Sequence, residues 1–236
     1  MCTRYLLMEE HYRAVLARLG IALPGAFVTR YNIAPGTAIP AIRRVPTDAT
    51  RREAVALRWG FVPSWSEQDE GTRLVNARAE SIATRPMFRD AYRKRRCVVP
   101  ASGFYEWQPV GRVKQPWLFR RRDEQPFGLA GLWDRWRRPD GGMLETCAVL
   151  TTEPNALMRP IHTRMPVLLT AEQCETWLDA PDPAALEPLL QPAPADAWSA
   201  VAVSTRVNNV RVDDPSVLAP AAADRGGDIE LLPGFE

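Results

Sequence analysis

The stretch CVVPASGFYEW, residues 97–107, is apolar over most of its length, is punctuated by Pro100 and Gly103, and sets a single carboxylate, Glu106, between two aromatic residues. β-Branched and aromatic residues in a short run bounded by turn formers read as extended chain rather than helix. Runs of the same kind occur at AVALRWGF (54–61), PWLFRRR (116–122), FGLAGLWD (127–134), LETCAVLT (144–151), MPVLLT (165–170) and WSAVAVS (198–204). Helical spacing is confined to MEEHYRAVLARLG (8–20), closed by Gly20 as a C-cap, to AEQCETWL (171–178), and to one turn around AALEPLL (184–190). Strands that follow one another without intervening helices exclude a doubly wound parallel sheet. The expectation is an α+β fold: a single compact domain over residues 1–236, with a largely antiparallel, barrel-like sheet and peripheral helices. The Pro/Ala-rich Asp179–Asp196 segment reads as an edge loop, and the tail after Pro220 as loose.

Composition narrows the function classes. With 46% hydrophobic and 25% charged residues the 236-residue chain has the make-up of a globular protein with a sizeable core. It contains no apolar run long enough to span a bilayer and no basic-then-apolar leader, so a cytoplasmic protein with no membrane partner is expected. The net charge of +2 conceals a division. Residues 1–138 carry 25 Lys+Arg against 13 Asp+Glu, a surplus of +12, whereas residues 139–236 carry 5 against 15, a deficit of −10. All but two of the basic residues, Lys94 and Lys114, are arginines, and RDAYRKRRC, FRRRD and DRWRR concentrate them. Such clusters suit phosphate contact, and equally a solvated basic face.

The cysteines lie at 2, 97, 147 and 174, with no CxxC pair, and no metal site is expected. Cys97, Cys147 and Cys174 fall in apolar or helical runs and read as small buried hydrophobes. Cys2 stands apart. Once Met1 is removed it carries an α-amine beside its thiol. Asn76 (in VNARAES), Glu106 and His162 (in IHTRMPV) each stand among apolar neighbours. Taken singly, each also has a structural reading: a helix cap, an arginine-paired acid, a satisfied core histidine.

Taken together and in order, the blocks MC-x-R, YNIAPG, WGFVPSW, NARAES, RCVVPASGFYEW, AGLWD, LTTEPN, IHTRMPVLL and VNNV resemble the SOS response-associated peptidase family, the abasic-site processing proteins. The resemblance runs from Cys2 to about Val210. It implies the family's compact mixed fold and a protein that senses abasic sites in single-stranded DNA. By that likeness Cys2 forms a covalent thiazolidine crosslink to the abasic sugar after Met1 removal and shields the site, with associated lyase and autopeptidase activity. The likeness also assigns roles: Glu106 as acid/base, His162 as proton-transfer group, Asn76 as orienting amide, and Arg78 as phosphate contact. Arg4, Trp65, Met87 and Phe88 become candidates for backbone contact and base stacking. No cofactor or metal is implied. The partner is single-stranded DNA containing abasic sites, bound by a monomer that joins the nucleoid at damage. The chain departs from the family pattern at Thr3, where glycine is common, at Thr163, where an acid is common, and in having one tryptophan in PSW. Two other classes stay open on the residues: a cysteine peptidase acting through Cys2, and a non-covalent reader of modified bases.

Overall fold

The computed structural model describes residues 2–69 and 74–221; the expected loose tail falls almost wholly outside them. CVVPASGFYEW proves to be two strands rather than one. The chain runs through β1 (Tyr5–Leu7), α1 (Glu9–Arg18), β2 (Arg30–Ile33), β3 (Ala38–Val45), β4 (Asp48–Trp59), β5 (Asn76–Arg78), α2 (Pro86–Lys94), β6 (Arg96–Ala101) and β7 (Gly103–Val110). It continues through β8 (Val113–Arg121), β9 (Phe127–Arg137), β10 (Met143–Thr152), β11 (Met165–Pro166), β12 (Leu168–Leu169), α3 (Ala171–Asp179) and β13 (Trp198–Ala202).

β6 belongs to one sheet and β7 to another. Strands β4, β3, β6, β9 and β10 pair in that order, and β10 returns to β4, so five strands close into a barrel. Its pairings are antiparallel except the closing one, which is parallel through Thr146↔Arg58 and Cys147↔Trp59. Where β4 ends, β5 takes over the same edge of β10, with Asn76 opposite Val149. The second sheet, β13-β8-β7-β1-β2, is antiparallel throughout. This α+β architecture with a barrel agrees with the expectation. The second sheet, and the strands β1 and β3, were not legible as separate elements.

The reason for the switch is steric. A Cβ on Gly103 would come to 3.0 Å from Leu118, Leu6 and the Phe119 carbonyl, so the backbone of β7 enters its sheet where a side chain has little room. The Ser102 N–H donates to the Leu6 carbonyl (2.9 Å) and its hydroxyl accepts from the Met8 N–H (2.8 Å), so β1 is stitched to the switch itself. Phe104 and Phe119 stack at 5.0 Å, and Phe127 meets Trp198 edge-on at 4.8 Å, filling the space between sheet and barrel. One continuous apolar core thus contains residues of both sheets.

The helices close the outside. α1 buries Tyr12, Val15 and Leu16, begins with two acids at the positive end of its dipole, and stops before Gly20 at φ +69°. Thr170 and Gln173 form a reciprocal capping box on α3. Buried Arg96 ties both other helices to the barrel, donating to the Tyr92 (3.0 Å) and Arg93 (3.2 Å) carbonyls of α2 and to the Trp177 and Ala180 carbonyls (both 2.6 Å) at the end of α3. Helix C-termini present carbonyls that nothing inside the helix satisfies, and a guanidinium suits them.

β9 is buried on both faces over its first eight residues, and Gly128 is what admits its neighbours. A Cβ there would stand 2.6 Å from Cys174 Sγ and from Val98 Cγ1. Gly128→Ala is therefore expected to destabilise the fold by about 1–3 kcal/mol, measured by urea unfolding. Gly25→Ala, with open space around the site, is the control and should lie within about 0.5 kcal/mol of wild type.

Candidate functional site

Pairing of β1 with β7 decides what lies beside residue 2. Tyr5 sits opposite Phe104, and the Tyr105 N–H donates to the Arg4 carbonyl (3.0 Å), which carries the preceding residues of the chain alongside Glu106. The Cys2 carbonyl accepts from Asn76 Nδ2 at 2.9 Å, so β5 reaches across from the barrel to hold the same segment. Asn76 Oδ1 is buried and has no hydrogen-bond partner among the described residues.

Glu106 is 2% exposed, and burial pushes its carboxyl up to about 7. His162 Nε2 lies 3.9 Å from Glu106 Oε2, and burial lowers the imidazole from its ordinary value. An ion pair would shift the two groups the other way, acid down and imidazole up. The contact is therefore not a fixed ion pair: the imidazole is shifted toward its neutral form, and the carboxyl, at about 7, is divided between its two forms near neutrality. The Arg164 main chain meets the ring from behind at Nδ1, its N–H at 3.0 Å and its carbonyl at 3.2 Å, which holds the imidazole in place for either tautomer and leaves Nε2 facing Glu106. Arg164 is itself anchored by a bidentate pair with Glu80 (2.7 and 2.9 Å) and by the Thr151 carbonyl (2.6 Å). Cys2 is fully buried, and its thiol is pushed far above the ordinary range, by burial first and by the Glu106 charge second.

A cavity of about 390 Å³ opens over this group, lined by Thr3, Arg4, Glu106, Trp107, Lys114, His162 and Asn208. Arg4 donates to Asn32 Oδ1 (3.0 Å) and to the Val207 carbonyl (2.8 Å), and its guanidinium lies 5.8 Å from the centre of the Trp107 ring. Trp107 Nε1 donates to Asn208 Oδ1 at 2.7 Å. Asn32 in turn gives its amide to the carbonyls of Val207, Asn209 and Val212, so the C-terminal part of the described chain forms one wall.

Cys2, Asn76, Glu106 and His162 are thus brought to one place, and Arg4 lines it. Arg78 is exposed two residues beyond Asn76, on the same side of β5. Trp65 is largely exposed in the segment after β4. Phe88 is a correction: it is buried in the core against Phe61 (5.3 Å), and the base-stacking role expected of it is not available to a side chain so placed. Met87 beside it is partly buried and packs on the same core. The basic runs are also partly spent inside the protein. Arg95 pairs with Asp134, Arg121 with Asp123, Arg135 with Glu145, and Arg96 with helix carbonyls. Sequence reasoning missed Thr3, Trp107, Lys114 and Asn208 as cavity residues and Arg164 as the residue behind His162. Only Lys114, one of two lysines among 28 arginines, carried a compositional signal. Among the described residues no group of three or more His, Cys, Asp or Glu could hold a metal ion.

Over residues 1–210 the sequence matches the family described as SOS response associated peptidase (SRAP). It is 37% identical over 225 residues to the abasic site processing protein YoqW of Bacillus subtilis, covering 92% of this chain and 99% of that one. It is 32% identical to the abasic site processing protein HMCES of Gallus gallus, covering 83% of this chain and 67% of that one. A crystal structure of a Bacteroides thetaiotaomicron protein superposes with a TM-score of 0.82 at 27% identity, covering 93% of this chain and all of that one.

The raised Glu106 carboxyl makes a stability prediction whose sign follows from linkage. Its folded pKa, about 7, lies above the ordinary 4.5, so the folded protein holds that proton more tightly than the unfolded chain does. The group favours folding most below pH ~4.5 and progressively less as pH rises through 7. Glu106→Gln removes the cost of burying the charge. Its melting temperature should exceed wild type at pH 8, with the gap closing toward pH 5. A gap of the same size at both pH values would show that the shift is absent.

Proposed function

Because the chain belongs to the SOS response-associated peptidase family, we propose that it processes abasic sites in single-stranded DNA through a covalent thiazolidine formed by Cys2 after Met1 is removed. The observation that carries the proposal is the meeting of Cys2, Asn76, Glu106 and His162 beside one cavity. The relatives named as abasic site processing proteins support the substrate class.

The chemistry runs as follows. The ring-opened abasic sugar presents an aldehyde at C1′. The Cys2 α-amine, whose ordinary pKa is about 7.7–8.0, adds in its neutral form to give a carbinolamine. That hydroxyl leaves as water, protonated by Glu106, and an imine remains. The Cys2 thiol then adds across the C=N bond, its proton ending on nitrogen, and a five-membered ring closes with net loss of one water. Because amine and thiol sit on adjacent carbons, the second addition is intramolecular and gains the effective concentration of a tethered nucleophile.

Burial fits each step. A carboxyl raised to about 7 is present in both protonation states at cellular pH, so Glu106 can give a proton at dehydration and accept the thiol proton at ring closure. His162, held at Nδ1 by the Arg164 main chain, turns Nε2 toward Glu106 and is the candidate proton-transfer group for opening the sugar ring to the aldehyde. The unpartnered Asn76 Oδ1 is the candidate acceptor for the freed amine. The peptidase alternative lacks support here. A cysteine hydrolase needs a lowered thiol pKa and an imidazole against the sulfur, whereas the Cys2 thiol is raised and its recorded polar contact is the Arg4 carbonyl at 3.9 Å.

Two tests follow. Denaturing gels with an abasic oligonucleotide should show a crosslink for the processed protein and none for a protein with a permanent N-terminal tag. Cys2→Ser should yield a borohydride-trappable imine without the durable product, and Glu106→Gln should slow crosslinking by about 10²–10⁴-fold. A tagged protein that crosslinks as well as the processed one overturns the assignment of the α-amine. Separately, binding to single-stranded DNA should weaken as salt rises, and Lys114→Gln should reduce the slope of log K against log salt by about 0.7, the loss of one phosphate contact. An unchanged slope removes Lys114 from the interface.

A further inference from the structure

The opposite end of the second sheet carries a cavity of about 520 Å³, within the size range of small-molecule sites. Its lining comes from four directions. β8 and the residue after it give Arg120, Arg121 and Arg122, and β13 gives Ser199 and Val201. Met8 and Ser102 come from the switch between the sheets, and His11 comes from α1. Glu10, Glu124 and Gln125 complete the rim. Arg120 lies opposite Ser199, and Val201 lies opposite Leu118, so these side chains share one face of the sheet.

Arg120 is chemically unfinished: it makes no ion pair or side-chain hydrogen bond among the described residues, and its Nε is buried without a partner. His11 Nδ1 is also unsatisfied, while the ring engages the Glu124 main chain. Arg121, by contrast, is neutralised by Asp123. A buried polar atom left unsatisfied is destabilising, and a bound ligand that supplies its partner removes that cost. The turn that completes the wall holds Glu124 at φ +57°, a left-handed conformation that is uncommon for a residue other than glycine. Val201 is about half exposed despite being apolar, and with Met8 it offers a hydrophobic surface next to the arginines.

From this arrangement we propose that the cavity binds a nucleoside monophosphate, its phosphate on Arg120 and Arg122 and its base against Val201 and Met8. The carboxylates of Glu10 and Glu124 on the rim disfavour a bare inorganic anion and suit the hydroxyl and amine donors of a nucleoside. The site is separate from the Cys2 cavity. Leu6, Tyr105 and Leu118, packed under Val203, Val207 and Val217, cover the sheet face between them. Along β7, Ser102 and Glu106 are four residues apart, roughly 13 Å at about 3.3 Å per residue.

The chain has two histidines, one in each cavity, so their ring protons report which site is filled. Deoxyadenosine monophosphate, deoxyadenosine and inorganic phosphate are titrated into the full-length protein and followed by NMR and calorimetry. The nucleotide is expected to bind saturably, to move the His11 signals and not those of His162, and to bind at least tenfold more weakly to Arg120→Gln. Deoxyadenosine and phosphate should each bind more weakly than the nucleotide. Crosslinking to an abasic oligonucleotide should be unchanged in that variant, so a failure here leaves the reading of the Cys2 cavity standing. Arg122→Gln carries the same comparison if Arg120→Gln does not fold. Absence of saturable binding, movement of His162 in place of His11, equal affinity in the arginine variants, or phosphate binding as tightly as the nucleotide would each overturn the proposal.

Discussion

The site depends on one junction, the passage of the chain from barrel to second sheet at Ser102–Gly103. Two hydrogen bonds from Ser102, to Leu6 and from Met8, lock β1 against the first residues of β7. The register that follows puts Tyr5 against Phe104 and so brings the residues before it to Glu106. A shift of one residue would exchange the two faces of β1 and carry Leu6 or Tyr5 out of its core. Glu106 lies three residues past Gly103, at the end of the part of β7 that is still buried. The same turn of the backbone that changes sheets therefore also sets the acidity of the carboxyl.

Charged groups in this protein are treated in two opposite ways. Arg96 is buried as a cation and satisfied by four helix-end carbonyls, so its burial serves stability by anchoring two helices. Burial instead shifts Glu106, His162 and Cys2 each toward its uncharged form. Proton transfer is most efficient for groups whose pKa lies near the ambient pH, and Glu106 is placed there by its burial.

Much of this was legible along the chain. Strand runs without intervening helices gave the barrel-containing α+β class, and Asn76, Glu106 and His162 stood out as polar residues among apolar neighbours, although their roles came from the family resemblance. What could not be read is where two strands hide in one run: CVVPASGFYEW breaks at Ser102–Gly103, but Ser102 is buried and satisfies its neighbours' backbone rather than facing solvent, so it is no loop signal. β3 escaped because Pro40, Arg43 and Arg44 interrupt its apolar pattern, although Arg43 is buried between Glu53 and Glu145. Phe88 was misassigned because an aromatic next to a turn looks the same whether it faces the core or a ligand. Trp107 and Asn208 entered the cavity through a contact across about a hundred residues, which no local pattern encodes.

That long-range closure imposes an order of events on the newly made protein. Residue 2 is completely enclosed once the fold is complete, held by Asn76, while Arg4 is fastened to the carbonyl of Val207. The last wall of the enclosure, the carbonyl of Val207, does not exist until residue 207 has left the ribosome. At about 5–20 residues per second that leaves roughly ten to forty seconds in which the leading end of the chain is still open. The surroundings of residue 2 are thus completed by the part of the chain that is made last, and the first strand to pair waits longest for its final contacts.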